Sequence, residues 1–289
     1  MLFPPERTFP ALTLQGRAIS FDAPVLMAIV NVTPDSFYDG GVHLDVDRAL
    51  AFAHAAVRSG ASIVDVGGES TRPGAPPVPA DEEIRRILPI IHELASAGLI
   101  VSVDTTKAAV ADAALSAGAC MVNDISGGLM DPEILAVASD HGAAMILQHL
   151  RGTPATMQRD IRFDDVVEDV SRELVLRKEA AVAAGVDARR ILVDPGIGFG
   201  KTPQQCIQLL SAGRRIASAC GSPVLVGPSN KSFIGHLTGA EVQDRLAGTV
   251  AACLLARTAG AHAFRVHDVA GIAQAFTIAK AFADATNPG

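Results

Sequence analysis

Short apolar runs alternate along the chain with longer stretches in which apolar residues recur every three to four positions. The runs are rich in Val, Ile, Leu and Ala, as is typical of strands buried on both faces. They cover residues 25–31, 62–67, 99–104, 120–124, 143–149, 190–194, 223–227 and 262–267. The stretches between them, such as 46–60 and 81–98, have the period of amphipathic helices. The pattern therefore predicts eight strands, each followed by helix.

Eight strand–helix units within 289 residues predict an α/β protein built as a (β/α)8 barrel, or TIM barrel. A doubly wound open sheet is the alternative, but no GxGxxG motif follows the first strand. Because no linker or low-complexity segment interrupts the pattern, we predict a single domain over residues 1–289. Residues 1–24, which include TLQGRAISF, predict a short N-terminal hairpin that closes the bottom of the barrel.

Two helix starts carry capping signals. Asp131 followed by Pro132 predicts an N-cap and the first residue of a helix. Thr202 and Gln205 stand three residues apart before an apolar stretch, which predicts a capping box. Both signals place helices where the apolar period also requires them.

Nearly every predicted strand ends in a polar residue. In a barrel these ends converge on one mouth, so eight polar residues around one rim are hard to explain as helix caps and predict an active site. The residues concerned are Asn31, Asp104, Asn123, His149, Asp194, Lys231, Arg265 and His267. Carboxylates and amides suit the N–H donors and acceptors of a flat, nitrogen-rich heterocycle, whereas a cationic corner suits a phosphate or pyrophosphate. We assign that corner to Lys231, Arg265 and His267.

Composition and charge exclude several other classes. The net charge of −7 and the lack of a basic stripe argue against a nucleic-acid partner. No apolar run approaches the roughly 18 to 20 residues of a membrane span, and the N-terminus does not resemble a signal peptide. Four scattered cysteines indicate free thiols. We therefore expect a cytoplasmic protein without membrane contact.

No GxSxG or HExxH motif is present, so the sequence shows neither a nucleophile elbow nor a helical zinc motif.

Two loops are longer than a connection between a strand and a helix needs. They span residues 33–45 and 68–80, and loops of this kind commonly serve as lids or binding loops. Asp35 in the first and Arg72 in the second could pair when the loops close. The alternative, that both are solvated surface charges, remains open on these residues alone.

The motifs at the strand ends resemble those of dihydropteroate synthases, in order and along nearly the whole chain. They are NVTPDSF (31–37), DVGGESTRPGA (65–75), SVDTTK (102–107), NDISGG (123–128), HLRGTP (149–154), DPGIGFGK (194–201), SNKSF (229–233) and RVHDV (265–269). The resemblance implies a (β/α)8 barrel that condenses a dihydropterin hydroxymethyl pyrophosphate with p-aminobenzoate. Pyrophosphate leaves and 7,8-dihydropteroate forms in folate synthesis. The resemblance also implies that the protein uses Mg²⁺ as a cofactor, forms a homodimer and is a target of sulfonamides.

Residue roles follow from the same resemblance. The pterin would be held by Asp104, Asn123, Asp194, Lys231, Gln148 and Phe199. The p-aminobenzoate pocket would be formed by Ser232, Thr71, Pro73, Phe37 and Phe199. The pyrophosphate would be bound by Asn31, Arg265 and His267, with Mg²⁺ at Asn31. The catalytic residues would be Asp104, Lys231, Asp35 and Arg72.

Two positions depart from the family pattern. Asn230 stands where the family commonly has arginine, and Gln148 stands where it commonly has methionine. Either residue could be tolerated drift or could alter the affinity for a substrate. Two other functions also stay open. One is a pterin-dependent methyltransferase domain, which would not need the RVHDV corner or the two long loops. The other is a paralogue that binds pterin without catalysis or acts on an altered substrate.

Overall fold

The computed structural model describes residues 9–32, 42–72 and 74–286. A short antiparallel hairpin, β1 (Leu12–Leu14) and β2 (Arg17–Ile19), comes first. Eight parallel strands follow and form the barrel: β3 (Val25–Asn31), β4 (Ile63–Gly67), β5 (Val101–Asp104), β6 (Met121–Asp124), β7 (Ala144–Gln148), β8 (Ile191–Asp194), β9 (Leu225–Val226) and β10 (Ala263–Val266).

Helices cover the outside of the barrel. Within the described residues they are α1 (Val42–Arg58), α2 (Ala80–Ser96), α3 (Ala108–Ser116), α4 (Glu133–Asp140), α5 (Val166–Ala183), α6 (Pro203–Leu210), α7 (Gly213–Cys220), α8 (Ser232–Thr238), α9 (Leu246–Thr258) and α10 (Val269–Thr286). None of these helices is long and apolar enough to cross a membrane.

The eight predicted strands are confirmed, and the parallel sheet runs in the order β8-β7-β6-β5-β4-β3-β10-β9. A single bridge between Val193 and Val224 joins its two ends, and the Val193 N–H donates to the Pro223 carbonyl at 3.0 Å. This contact nearly closes the barrel and rules out the open-sheet alternative. The seventh barrel strand is the shortest, because only Leu225 and Val226 pair regularly with β10.

Alternation along the strands determines which side chains face the barrel interior. In β7, Ala144 and Ile146 join an inner apolar cluster, whereas Met145 and Leu147 pack with the helices. The next inward position is therefore Gln148. The same alternation turns Asp104, Asn123 and Asp194 inward at the ends of their strands.

The N-terminal hairpin packs on the opposite end of the barrel, as predicted. Leu12, Leu14, Ile19 and Phe21 are all buried and belong to the inner cluster that contains Val25, Met27, Ile63 and other residues near the strand starts. Burial of a large apolar side chain contributes about 1.5 to 3 kcal/mol. The hairpin thus excludes water from one end and leaves the carboxyl-terminal end of the strands as the accessible mouth.

The two capping predictions have different outcomes. The capping box is confirmed, because Thr202 accepts from the Gln205 N–H and Gln205 accepts from the Thr202 N–H. The N-cap prediction for Asp131 is wrong, since α4 begins at Glu133 and its cap makes no side-chain hydrogen bond. The Asp131 carboxylate instead accepts from the Ala108 N–H of α3 at 2.7 Å. A neighbouring helix start competes for the same acceptor.

We predict that Leu14→Ala lowers the free energy of unfolding by about 2 to 4 kcal/mol, because it opens a cavity under the barrel. Urea denaturation measures the loss. Thr13→Ala, at an exposed position of the same strand, is the control and should change stability by about 0.5 kcal/mol or less. Equal effects of the two substitutions would contradict the packing role of the hairpin.

Candidate active site

Polar side chains gather at the mouth because inward-facing positions at six strand ends are polar. They are Asn31, Asp104, Asn123, Gln148, Asp194 and Arg265. Asp104, Asn123, Gln148 and Asp194 are all at least nine-tenths buried. Asn31 and Arg265 are half-buried. The apolar inner cluster lies beneath them, so the polar atoms at this end of the barrel stand above an interior filled with apolar side chains.

Arg265 links two buried carboxylates at the centre of the mouth. Its Nε donates to Asp65 Oδ2 at 2.6 Å, and its Nη2 donates to Asp104 Oδ2 at 2.6 Å. Asn123 Nδ2 donates to the same Asp65 oxygen at 3.0 Å. Although burial alone would lower the pKa of Arg265, the charges of Asp65 and Asp104 raise it above its ordinary value. The guanidinium is therefore a fixed positive charge.

Two carboxylates of the mouth are shifted toward neutrality. Burial raises the pKa of Asp104 to about 7, although Arg265 opposes the shift. Burial also raises the pKa of Asp194 to about 6, against a hydrogen bond from the Gly196 N–H and the nearby charges of Lys231 and other cations. Both groups can thus change protonation near neutral pH. A ligand that brings N–H donors would favour the ionised carboxylates.

Lys231 stands at the N-cap of α8, and its Nζ lies 4.2 Å from the centroid of the Phe199 ring. Burial and the charge of Arg265 lower the pKa of Lys231 to about 8. Phe199 is itself buried and packs with Ile125, Leu150 and Met157. The pair forms one wall of the mouth, with a cation held against an aromatic face.

His267 changes the predicted cationic corner. Burial lowers the pKa of His267 to about 4, and the charges of Arg265, Lys231 and Arg72 act in the same direction. Its Nδ1 lies 3.0 Å from the Ser229 hydroxyl oxygen. The imidazole is therefore neutral near pH 7, and Lys231 and Arg265 are the two cations of this corner.

His149 belonged to the predicted rim but lies outside the mouth. Its side chain is fully buried, with Nε2 3.0 Å from Glu173 of α5 and Nδ1 2.9 Å from the Lys201 Nζ. Gln148 takes the inward position because it continues the alternation of Ala144 and Ile146, whereas His149 follows the end of β7. Gly196 passes so close that a Cβ there would lie 2.1 Å from the His149 carbonyl oxygen. His149 and Lys201 thus anchor the loop that carries Phe199.

A pocket extends from Asp104 along the second long loop. Its lining includes Thr71, Thr105 and Ile125. Lys107 pairs with Glu69 near the start of the loop and, at 2.6 Å, with the buried Glu83 of α2, the helix that follows the loop. Thr71 and Asp104 line the same pocket. Arg72 follows Thr71 on the surface, exposed but close enough to influence His267.

Asn230 has a backbone conformation that suits its residue type. Its φ of +57° lies in the left-handed region, where asparagine is several-fold enriched. The Asn230 N–H donates to Thr249 at 3.1 Å, and Arg245 donates to the Asn230 carbonyl at 3.0 Å. The turn sets the direction in which Lys231 and Ser232 leave the strand. Ser232, the first residue of α8, is exposed at its start.

Three predicted residues, Asp35, Phe37 and Pro73, lie outside the described residues. The described residues contain no group of three or more His, Cys, Asp or Glu side chains that could hold a metal ion. Mg²⁺, however, commonly takes one or two protein oxygens beside substrate phosphates. The amide oxygen of Asn31, inward at the end of β3, fits such a shared site.

The strand-end pattern did not find Asp65. This residue lies inside β4 and is completely buried, with apolar neighbours on both sides in the sequence. The sequence did contain one signal for Asp65, namely an ionisable residue within an otherwise apolar strand. A buried charge of this kind is stable only when it is paired, so its presence indicates a partner. The Lys107 pairing with Glu69 and Glu83 joins three separate segments and left no comparable signal.

Comparisons with known proteins agree with this geometry. Residues 27–267 match the family model described as pterin binding enzyme. A dihydropteroate synthase from Synechocystis is 46% identical over 89% of this chain and 89% of the relative. A probable bifunctional folylpolyglutamate synthase/dihydropteroate synthase from Haloferax volcanii is 48% identical over 91% of this chain, which spans 31% of that longer protein.

Solved structures give the same result. Xanthomonas albilineans dihydropteroate synthase with 4-aminobenzoic acid has a TM-score of 0.89 at 46% identity, covering 96% of this chain and 99% of that one. A structure of that bacterium's enzyme with 7,8-dihydropteroate has a TM-score of 0.85 at 43% identity, covering 95% and 99%.

The fold and the buried polar mouth define a TIM-barrel enzyme for a small polar ligand. Sequence and structural similarity over nearly the full length make the class more specific. The chain belongs to the dihydropteroate synthases, within the family of pterin binding enzymes.

We predict that Arg265→Met lowers the free energy of unfolding by about 3 to 5 kcal/mol, because it leaves two buried carboxylates without their cation. The loss should be smaller at pH 6 than at pH 8, since Asp104 can then be neutralised by a proton. Arg215→Met, which removes an exposed pair with Glu168, is the control and should cost about 1 kcal/mol or less. Urea unfolding at both pH values provides the measurement. A pH-independent loss would contradict the charge argument.

Proposed function

We propose that the barrel mouth catalyses the dihydropteroate synthase reaction. The enzyme is a transferase that joins the hydroxymethyl carbon of a dihydropterin pyrophosphate to the amine of p-aminobenzoate, with release of pyrophosphate. The observation that carries the proposal is the buried group of Asp104, Asn123 and Asp194 at the mouth, with Arg265 paired to Asp104, together with the family match over residues 27–267.

The pterin occupies the mouth between the buried carboxylates and the wall of Lys231 and Phe199. Asp194 accepts N–H groups from the amino-pyrimidine edge, and a bidentate arrangement of this kind is both strong and directional. Gln148 contributes an amide at the same depth, and its buried Nε2 has no hydrogen-bond partner among the described residues. Methionine at this position would supply only apolar contact. Gln148 therefore adds a polar contact to the ring.

The pyrophosphate lies toward Asn31, Arg265 and His267. Arg265 supplies a permanent positive charge, and His267 contributes a neutral imidazole. Mg²⁺ bound through Asn31 would neutralise charge on the departing pyrophosphate. As the leaving group departs, positive charge develops on the methylene carbon, and the Asp104 carboxylate stabilises it in a site with little water.

The p-aminobenzoate approaches from the side of the second loop. Thr71 lines the pocket next to Asp104, and Ser232 at the start of α8 receives the carboxylate of the substrate. Pro73, Phe37 and Phe199 complete the pocket in this proposal. The arylamine is a neutral nucleophile, so its placement beside the methylene supplies much of the rate enhancement. Asp35 and Arg72 pair as the loops close. Sulfonamides, as mimics of p-aminobenzoate, compete for this pocket.

Two alternative functions are less well supported. A methyltransferase domain has no need of Arg265 and His267 placed together for a pyrophosphate. The hypothesis of a paralogue that binds pterin without catalysis depends on Asn230. The left-handed backbone at this position, however, gives asparagine a structural reason to be present. We also propose a cytoplasmic homodimer that needs only small-molecule substrates, without nucleic acid or membrane partners.

The direct test mixes purified protein with dihydropterin hydroxymethyl pyrophosphate, Mg²⁺ and p-aminobenzoate. We expect equal amounts of pyrophosphate and dihydropteroate. Lys231→Met should lower kcat/KM by about 100-fold or more, because it removes a preorganised charge from the mouth. Lys280→Met, which removes an exposed lysine of α10, should leave the rate unchanged. Folded protein that forms neither product would rule out the enzyme function.

Binding of the pterin should weaken as the pH falls from about 7.5 to 5. The raised pKa values mean that Asp194, near 6, and Asp104, near 7, take up protons in the free protein over this range. Each carboxylate that must ionise for binding contributes up to about tenfold per pH unit below its pKa. Fluorescence titration of the pterin measures this dependence. In Asp194→Asn the step near pH 6 should disappear; its persistence would exclude Asp194 as the titrating group.

A further inference from the structure

Asp65 differs from the carboxylates Asp104 and Asp194 in that it does not stand at the end of a strand. It occupies the middle of β4, in register with Ile29 of β3 and Ser102 of β5, one layer below the polar rim. Its side chain has no solvent exposure. A carboxylate in such a position is costly unless it is paired. Its partners, Asn123 and Arg265, both belong to the proposed substrate site.

The bond to Asn123 settles how that side-chain amide is turned. An ionised carboxylate can only accept hydrogen bonds, so it must face the Nδ2 group of Asn123 rather than the amide oxygen. Asn123 Nδ2 lies 3.0 Å from Asp65 Oδ2. The opposite atom, Asn123 Oδ1, is buried and has no hydrogen-bond partner among the described residues. Asn123 is therefore held so that it offers an acceptor to a ligand.

The bond to Arg265 fixes the guanidinium in the same way. Asp65 holds Nε and Asp104 holds Nη2, both at 2.6 Å. Two anchors on a planar group define its plane as well as its position. The remaining nitrogen, Nη1, takes part in neither of these ion pairs. Asp65 thus orients both the amide that faces the heterocycle and the cation that faces the pyrophosphate.

We propose that Asp65 is a positioning residue that sets the hydrogen-bond polarity of the pterin site. It does not touch the substrate. It keeps Asn123 turned so that Oδ1 accepts an N–H of the pterin, and it keeps Arg265 in the plane required for the leaving group. This inference rests on the proposed function, because it needs a pterin in the mouth.

Exchanging the two interacting residues provides a sharp test. In Asp65→Asn, the new amide can donate as well as accept, so Asn123 can turn over and present a donor to the pterin. In Asn123→Asp, the amide that donates to Asp65 is replaced by a carboxylate, so two carboxylates face each other. In the double variant Asp65→Asn/Asn123→Asp, the amide at 65 can donate to the carboxylate at 123, which again offers only acceptors to the ligand. The Arg265 Nε then loses the oxygen that it shares with Asn123 in the original protein. The net charge of the pair is also restored.

Pterin affinity should fall about 10- to 100-fold in each single variant, because a hydrogen bond to a charged group is lost or misdirected. The double variant should recover part of this loss, because the acceptor that faces the pterin returns while the bond from Arg265 Nε to residue 65 does not. KM for p-aminobenzoate should stay within about threefold of the original in all three variants. Ser102→Ala is the control, since Ser102 lies beside Asp65 in the same layer and its hydroxyl has no partner among the described residues. It should bind pterin unchanged.

The measurements are fluorescence titration with pterin, steady-state kinetics and thermal unfolding of each variant. Unchanged pterin affinity in Asp65→Asn, or a double variant weaker than both singles, would overturn the positioning role. An equal loss for pterin and p-aminobenzoate would indicate general disruption and also overturn it. If the unaltered protein itself neither bound pterin nor formed dihydropteroate, the proposed function would fail first, which separates the two results.

Discussion

The mouth of this barrel depends on one arrangement of charges, the Arg265 guanidinium between Asp65 and Asp104. Removing Arg265 would leave two buried carboxylates without their cation, which is far more costly than losing a surface ion pair. The arrangement joins β4, β5 and β10 across the barrel interior. It also sets the electrostatics around it. Arg265 opposes the protonation of Asp104, lowers the pKa of Lys231 and helps to keep His267 neutral.

The surroundings keep this arrangement rigid. The hairpin closes the far end of the barrel with four buried apolar residues, so the charges stand above an interior filled with apolar side chains. On one side, Lys201 and His149 anchor the loop that carries Phe199. On another, Lys107 ties together the start of the second loop, through Glu69, and the helix that follows the loop, through Glu83. Catalysis that works by placing two substrates together needs a frame of this kind.

Much of the barrel could be predicted from the sequence because its signals are local. Apolar runs located every strand, and the polar residues Asp104, Asn123 and Asp194 closed those runs. Two features needed the three-dimensional structure. Which of Gln148 and His149 faces inward depends on which alternate residues of β7 point into the barrel, and a shift of one residue exchanges the two faces. Asp65 acts through Asn123 and Arg265, which lie 58 and 200 residues away in the chain, so no local pattern marks its role.

A crystal structure with a dihydropterin pyrophosphate analogue, Mg²⁺ and p-aminobenzoate would test the central claim most directly. We expect the pterin in the mouth, with N–H groups donated to Asp194 and to the Oδ1 atom of Asn123. The pyrophosphate should contact Arg265 while Asp65 still holds the Nε atom of that arginine. A pterin bound elsewhere, or one that faces the Nδ2 atom of Asn123 with Asp65 displaced, would contradict this account.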